Sequence, residues 1–229
     1  MEEKILELKK ELDSILKNYA VDKVLSDTGG SRRASKSILT RNIYKKIINF
    51  AIAESEGDFK FFYKKSDLPA KLKKKLPILK LSKDFKYKRN YSVSGKGNEV
   101  EYDGFITSKN EIIMLLEFKS YTEVSMLKRV FIDCQIANQF LPNIKYSLCM
   151  LESAMGSEGH SISHSAITLI DHLERSLGVK IDIFLLMKGT RNSVRDIGIR
   201  KYMKKIDLKE LKFTVNSFFT FFNSFKKKF

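Results

Sequence analysis

The stretch Glu101-Tyr102-Asp103-Gly104-Phe105-Ile106-Thr107-Ser108-Lys109-Asn110-Glu111-Ile112-Ile113-Met114-Leu115-Leu116-Glu117-Phe118-Lys119 decides the fold. It reads as a β-hairpin: strands over 101–106 and 111–119 flank the turn-forming Thr107-Ser108-Lys109-Asn110. Side chains alternate across a strand, so Ile112, Met114, Leu116 and Phe118 are expected on one face and Ile113, Leu115, Glu117 and Lys119 on the other. Both faces are mostly apolar, which predicts a strand covered by helices on both sides. Glu117 and Lys119 then sit at the end of an otherwise buried strand, where an unpaired charge costs on the order of several kcal/mol. Their available partners are each other, Asp103 across the hairpin, or a metal ion.

Two carboxylates can hold a hard cation such as magnesium, which takes oxygen ligands and keeps several waters. A neighbouring ammonium can orient a water and stabilise charge gathering on a phosphate under attack. Asp103, thirteen intervening residues, then Glu117-Phe118-Lys119 resembles the PD-(D/E)XK nuclease motif over roughly Glu99 to Leu141, with Tyr102 standing where the motif's name has Pro. The resemblance implies a restriction-endonuclease-like α/β fold in which Asp103 and Glu117 bind magnesium (manganese substituting) and Lys119 serves the attacking water. It is strongest toward type II restriction enzymes. That implies double-stranded DNA as substrate, a homodimer matched to a palindromic site, and no organic cofactor.

Glu54 lies on the same helical face as Ile47, Phe50 and Ala51, which makes it a candidate additional metal ligand; its other reading is a solvated last turn ahead of Gly57. Glu101 and Gln135 are second-tier candidates. Gln135 falls where RecB-type relatives carry a glutamine after the lysine, but Gln139 stands where those relatives have tyrosine. Glu-x-Lys also arises readily by chance in a lysine-rich chain, and an ion pair that merely decorates a sheet is the plainer alternative.

The charge distribution supports the central placement of this trio. The formal net charge is +16, yet residues 98–186 carry 7 basic against 12 acidic side chains. The flanks are basic: 13 against 2 over 60–96, and 12 against 3 over 188–229. Such flanks suit a polyanion, and an acidic centre requires a cation before a phosphate can approach. Arg32, Arg33, Lys36 and Arg41 on a predicted helix could track a phosphate backbone. Lys188, Arg191, Asn192 and Arg195 form a polar loop suited to base edges, because Arg and Asn read guanine and adenine. A membrane surface or an acidic protein could also attract these flanks, and lysine enrichment can serve solubility alone.

The remaining elements follow from periodicity. Ile5, Leu8, Leu12, Ile15 and Leu16 predict an amphipathic first helix, and a second runs from near Ser31 to about Glu56. Phe61, Phe62 and Tyr63 interleave with lysines as in an edge strand or a nucleic-acid surface. A helix over 123–140 buries Leu127, Val130, Phe131, Cys134 and Leu141; strands follow near 144–151 and 179–187, with a helix over 162–177 between them. Leu208, Leu211, Val215, Phe218, Phe222 and Phe225 make a heptad seam that packs on its own domain or on a second subunit. The whole predicts one nuclease domain over 1–229, with N-terminal helices in 1–56, a central mixed β-sheet flanked by helices in a catalytic core over 99–187, and a C-terminal helix in 205–229.

Cys134 and Cys149 read as core thiols, so neither a disulfide framework nor a cysteine zinc site is expected. His160 and His164 have helical zinc spacing but lack an evident third ligand. No apolar run reaches bilayer-spanning length and Glu2-Glu3 replaces a leader's basic start, so a prokaryotic cytoplasmic protein away from membranes is expected. Two rival functions share this sequence: a structure-selective or RecB-like repair or defence nuclease, and a non-catalytic nucleic-acid-binding protein.

Overall fold

The computed structural model describes residues 1–24, 29–79, 98–156, 162–188 and 205–226, with the backbone alone for 19–24, 29–36, 98 and 99. Two N-terminal helices, α1 (Glu2–Val24) and α2 (Gly29–Ser55), precede the edge strand β1 (Phe59–Phe62). A short helix α3 (Ala70–Lys73) begins at Pro69, whose fixed φ suits a helix start. The two-residue strands β2 (Ile78–Leu79) and β3 (Asn98–Glu99) pair in a small antiparallel ladder of their own. Then come β4 (Gly104–Ser108), β5 (Glu111–Thr122), α4 (Val124–Phe140), β6 (Lys145–Ser153), α5 (His164–Leu177), β7 (Ile181–Leu185) and α6 (Leu208–Lys226).

The main sheet has five strands in the order β1-β4-β5-β6-β7. β1, β4 and β5 are antiparallel neighbours, whereas β5, β6 and β7 run parallel through the crossover helices α4 and α5. This is the mixed α/β sheet expected from the alternation of strand and helix. One face packs on α1, α2 and α6 through residues such as Leu12, Ile43, Tyr44, Ile47, Phe118, Val215 and Phe222. The other packs on α3, α4 and α5 through Leu72, Phe105, Leu115, Phe131, Leu148 and Ala166. β5 is therefore covered on both sides, as its composition requires.

Two local departures from simple alternation occur in the hairpin. The turn is tighter than the four residues expected: Lys109 and Asn110 form a two-residue connection, both with positive φ (47° and 64°), the handedness that matches strand twist. The pairing passes from Ile106↔Met114 to Thr107↔Ile112, which leaves Ile113 as the extra residue of a β-bulge. Ile113 and Met114 consequently both join the α2 side, and Ile112 moves to the α4 side with Leu115. From Met114 onward the expected alternation holds, so the bulge leaves the phase of Glu117 and Lys119 unchanged.

The C-terminal seam packs on its own domain. Phe218 meets Phe184 of β7 with ring centroids 4.9 Å apart, and Phe222 meets Phe59 of β1 at 4.7 Å. The stripe Leu127, Val130, Phe131 and Cys134 of α4 is buried, and Leu141 is partly so. Both cysteines are free and buried. No described helix is long and apolar enough to cross a membrane.

Candidate active site

Asp103 lies immediately before β4, where its backbone N–H still donates to Leu116 O at 3.1 Å and so continues the hairpin ladder. Its side chain folds back on the same strand: the N–H of Phe118 donates to Asp103 Oδ2 at 3.0 Å. The carboxylate is thus fixed by the residue between Glu117 and Lys119. The next residue, Gly104, allows close packing here, since a Cβ there would come within 3.0 Å of both Phe118 and Phe61 rings. Tyr102 turns into the α4 face, edge-on to Phe105 and Tyr146.

Glu117 and Lys119 project toward the α4 side near the carboxyl end of β5, the end at which open α/β sheets place their ligands. Lys119 Nζ is paired with Glu117 Oε1. Burial raises the pKa of Glu117 above its ordinary value, and the charge of Asp103 raises it further, while Lys119 opposes both. The structure therefore brings together the three residues that the motif singles out. The two carboxylates are partly buried, the charge of Asp103 raises the cost of ionising Glu117, and their oxygens are the donor type that a hard divalent cation would take. Among the described residues there is no group of three or more His, Cys, Asp or Glu that could hold a metal ion.

Other candidates lie apart. Glu54 pairs with Lys4 of α1 at 2.8 Å, and at a rise of about 1.5 Å per residue it stands roughly 20 Å along α2 from the turn that reaches Asp103. Its carboxylate is engaged by Lys4 of α1, away from the turn that reaches Asp103, so the position does not favour the expected metal-ligand role. Glu101 is exposed at the approach to β4. Gln135 is half-buried on α4. Lys188 binds Asp207 at 3.1 Å, which ties the end of the β7 segment to the start of α6. The side chains of Arg32, Arg33 and Lys36 lie outside the described residues, as do Arg191, Asn192, Arg195 and His160.

Two residues near the site carry roles that periodicity did not single out. Arg41 of α2, read from the sequence as a phosphate-tracking residue, instead pairs through Nη2 with Asp103 Oδ1. One turn later Tyr44 is fully buried and its hydroxyl donates to Met150 O at 2.7 Å, which pins α2 over the strand ends and explains why Arg41 reaches Asp103. Asp133 of α4 lies within electrostatic reach of Glu117 and Lys119; burial raises its pKa, against the pull of Arg129 and Lys119. Its signal in the sequence is a carboxylate one residue before Cys134 of the buried stripe, with Arg129 one turn earlier. Beside these carboxylates the hydroxyls of Tyr102 and Tyr146 are buried with no hydrogen-bond partner among the described residues.

A helix-covered mixed sheet presenting two carboxylates and a lysine from one hairpin is the arrangement expected of a restriction-endonuclease-like core. The chain is similar to the type II restriction enzyme DdeI of Desulfomicrobium norvegicum, with 23% identity over 203 residues that cover 82% of this chain and 80% of that protein. No family model matches the chain. No solved structure matches it.

Proposed function

We propose that this protein is a magnesium-dependent endonuclease that cleaves double-stranded DNA at a short specific site, in the manner of a type II restriction enzyme. The observation that carries the reading is the convergence of Asp103, Glu117 and Lys119 at one end of the sheet. Similarity to DdeI along most of both chains supports the restriction role over the repair or defence role. The basic flanks supply attraction for the phosphate backbone.

In this reading Asp103 and Glu117 would hold the ion, which would supply Lewis-acid polarisation for hydrolysis of the scissile phosphodiester. Asp103 is held in place by the Phe118 N–H, so one ligand is oriented before any substrate arrives. Lys119 gives up its contact with Glu117 to orient the attacking water and to balance charge on the phosphate. Attack in line with the leaving oxygen yields a 5′-phosphate and a 3′-hydroxyl. A homodimer would place two such sites on the two strands of a palindrome.

Lys119→Ala tests this assignment. Cleavage should fall by about 10²–10³-fold or more while specific binding stays nearly intact, because the lysine acts on the water and the developing charge. Loss of binding and cleavage together in a folded variant would contradict that role.

A further inference from the structure

Arg41 occupies one of the two oxygens through which a cation would reach Asp103. Asp103 has two carboxylate oxygens: Oδ2 accepts the Phe118 N–H, and Oδ1 carries the Arg41 guanidinium. A metal ion that uses Oδ1 must share it with Arg41 or displace it, and one that uses the remaining lone pair of Oδ2 meets the guanidinium charge beside it. Among the described residues the Nε of the arginine is buried without an acceptor, while Nη2 serves Asp103. A guanidinium has five N–H donors in a fixed fork, a shape matched to two phosphate oxygens. The main chain beneath it is fixed, because Tyr63 Oη donates to Arg41 O at 2.8 Å and Tyr44 anchors the next turn. The side chain is about a third exposed, so its head can turn outward without unfolding the helix.

We infer that Arg41 is a resident cation that competes with the divalent metal for Asp103 and is handed over to a DNA phosphate when substrate binds. This rests on the nuclease reading above and deepens it. The metal site is weak while the guanidinium occupies Asp103 Oδ1. An arriving phosphate removes the competitor, so metal and DNA each strengthen the binding of the other, as reciprocity of coupling requires. Arg41 thereby acts as a positioning residue for the metal ligand and as a contact to the substrate phosphate.

The test measures Mn2+ binding to the full chain without DNA, by calorimetry or by the electron paramagnetic signal of the free ion, beside cleavage of long duplex DNA. Arg41→Gln should bind Mn2+ about tenfold more tightly than the parent, equivalent to about 1.4 kcal/mol, and yet cleave more slowly by at least tenfold. Lys45→Gln, which removes the exposed charge lying over Tyr63 on the same helix, controls for simple electrostatics and should change Mn2+ affinity less than twofold. Should Arg41→Gln fold poorly, Arg41→Lys keeps the charge without the fork and should show both effects in smaller measure. Unchanged Mn2+ affinity in folded Arg41 variants, or an equal gain in Lys45→Gln, overturns the competition. Tighter Mn2+ binding with undiminished cleavage overturns the hand-over. Asp103→Asn separates this from the underlying reading: if it leaves Mn2+ binding intact, the nuclease assignment of Asp103 fails whatever Arg41 does.

Discussion

Asp103 accepts the backbone N–H of Phe118 through Oδ2 at 3.0 Å, so a carboxylate at the start of one strand is held by the residue between Glu117 and Lys119 on the next. The hairpin therefore carries its own means of orienting the site. Asp103→Asn can still accept that N–H through its amide oxygen, and its fold should persist while magnesium-dependent cleavage is lost. Asp103→Ala leaves the Phe118 N–H and Arg41 without their acceptor and should cost about 1–3 kcal/mol of stability as well. Denaturant unfolding of the two variants beside a cleavage assay distinguishes these outcomes.

Glu117 is stabilised in its neutral form by burial and by Asp103, with Lys119 only partly offsetting them. Its folded-state pKa lies above the unfolded value of about 4.3, so the stability it contributes is present in full below that pH and is lost as pH rises through the folded value. Glu117→Gln should accordingly melt a few degrees higher than the parent at neutral pH, and the gain should shrink as pH falls toward about 4. Saturating magnesium should raise the melting temperature of the parent and leave the variant unmoved. Thermal melts at several pH values, with and without magnesium, check both statements.

Gly104 is required by close packing. A methyl group there meets Phe118 and Phe61 at 3.0 Å and Leu116 Cβ at 3.4 Å, in the sheet between β1 and β5. Gly104→Ala should destabilise by about 1–3 kcal/mol, seen as a fall of roughly 2–10 °C in melting temperature. Cleavage should suffer too, since Asp103 is the adjoining residue. An unchanged melting temperature would show that the rings give way freely.

Local pattern made much of this molecule legible. The apolar run of β5 predicted a strand covered on both sides, and the stripe of α4 and the seam of α6 marked their buried faces. Asp103, Glu117 and Lys119 could be grouped because a hairpin brings its two strands together by a short connection. What escaped was set by contacts distant in sequence. Arg41 looks like a surface cation until Tyr44 docks α2 on the strand ends 106 residues away. Glu54 looks like a site residue until Lys4 of α1 claims it. Asp133 depends on how α4 lies across β5, and the bulge at Ile113 has no marker in residue type, since isoleucine suits either face.

The most direct test of the nuclease account is incubation of the purified protein with long duplex DNA, with and without magnesium, beside a folded Glu117→Ala control. The account predicts discrete fragments that require both the metal and Glu117, with 5′-phosphate ends. Intact DNA across divalent metals and diverse duplexes would contradict it and leave Glu117 and Lys119 as a structural ion pair on a nucleic-acid-binding protein.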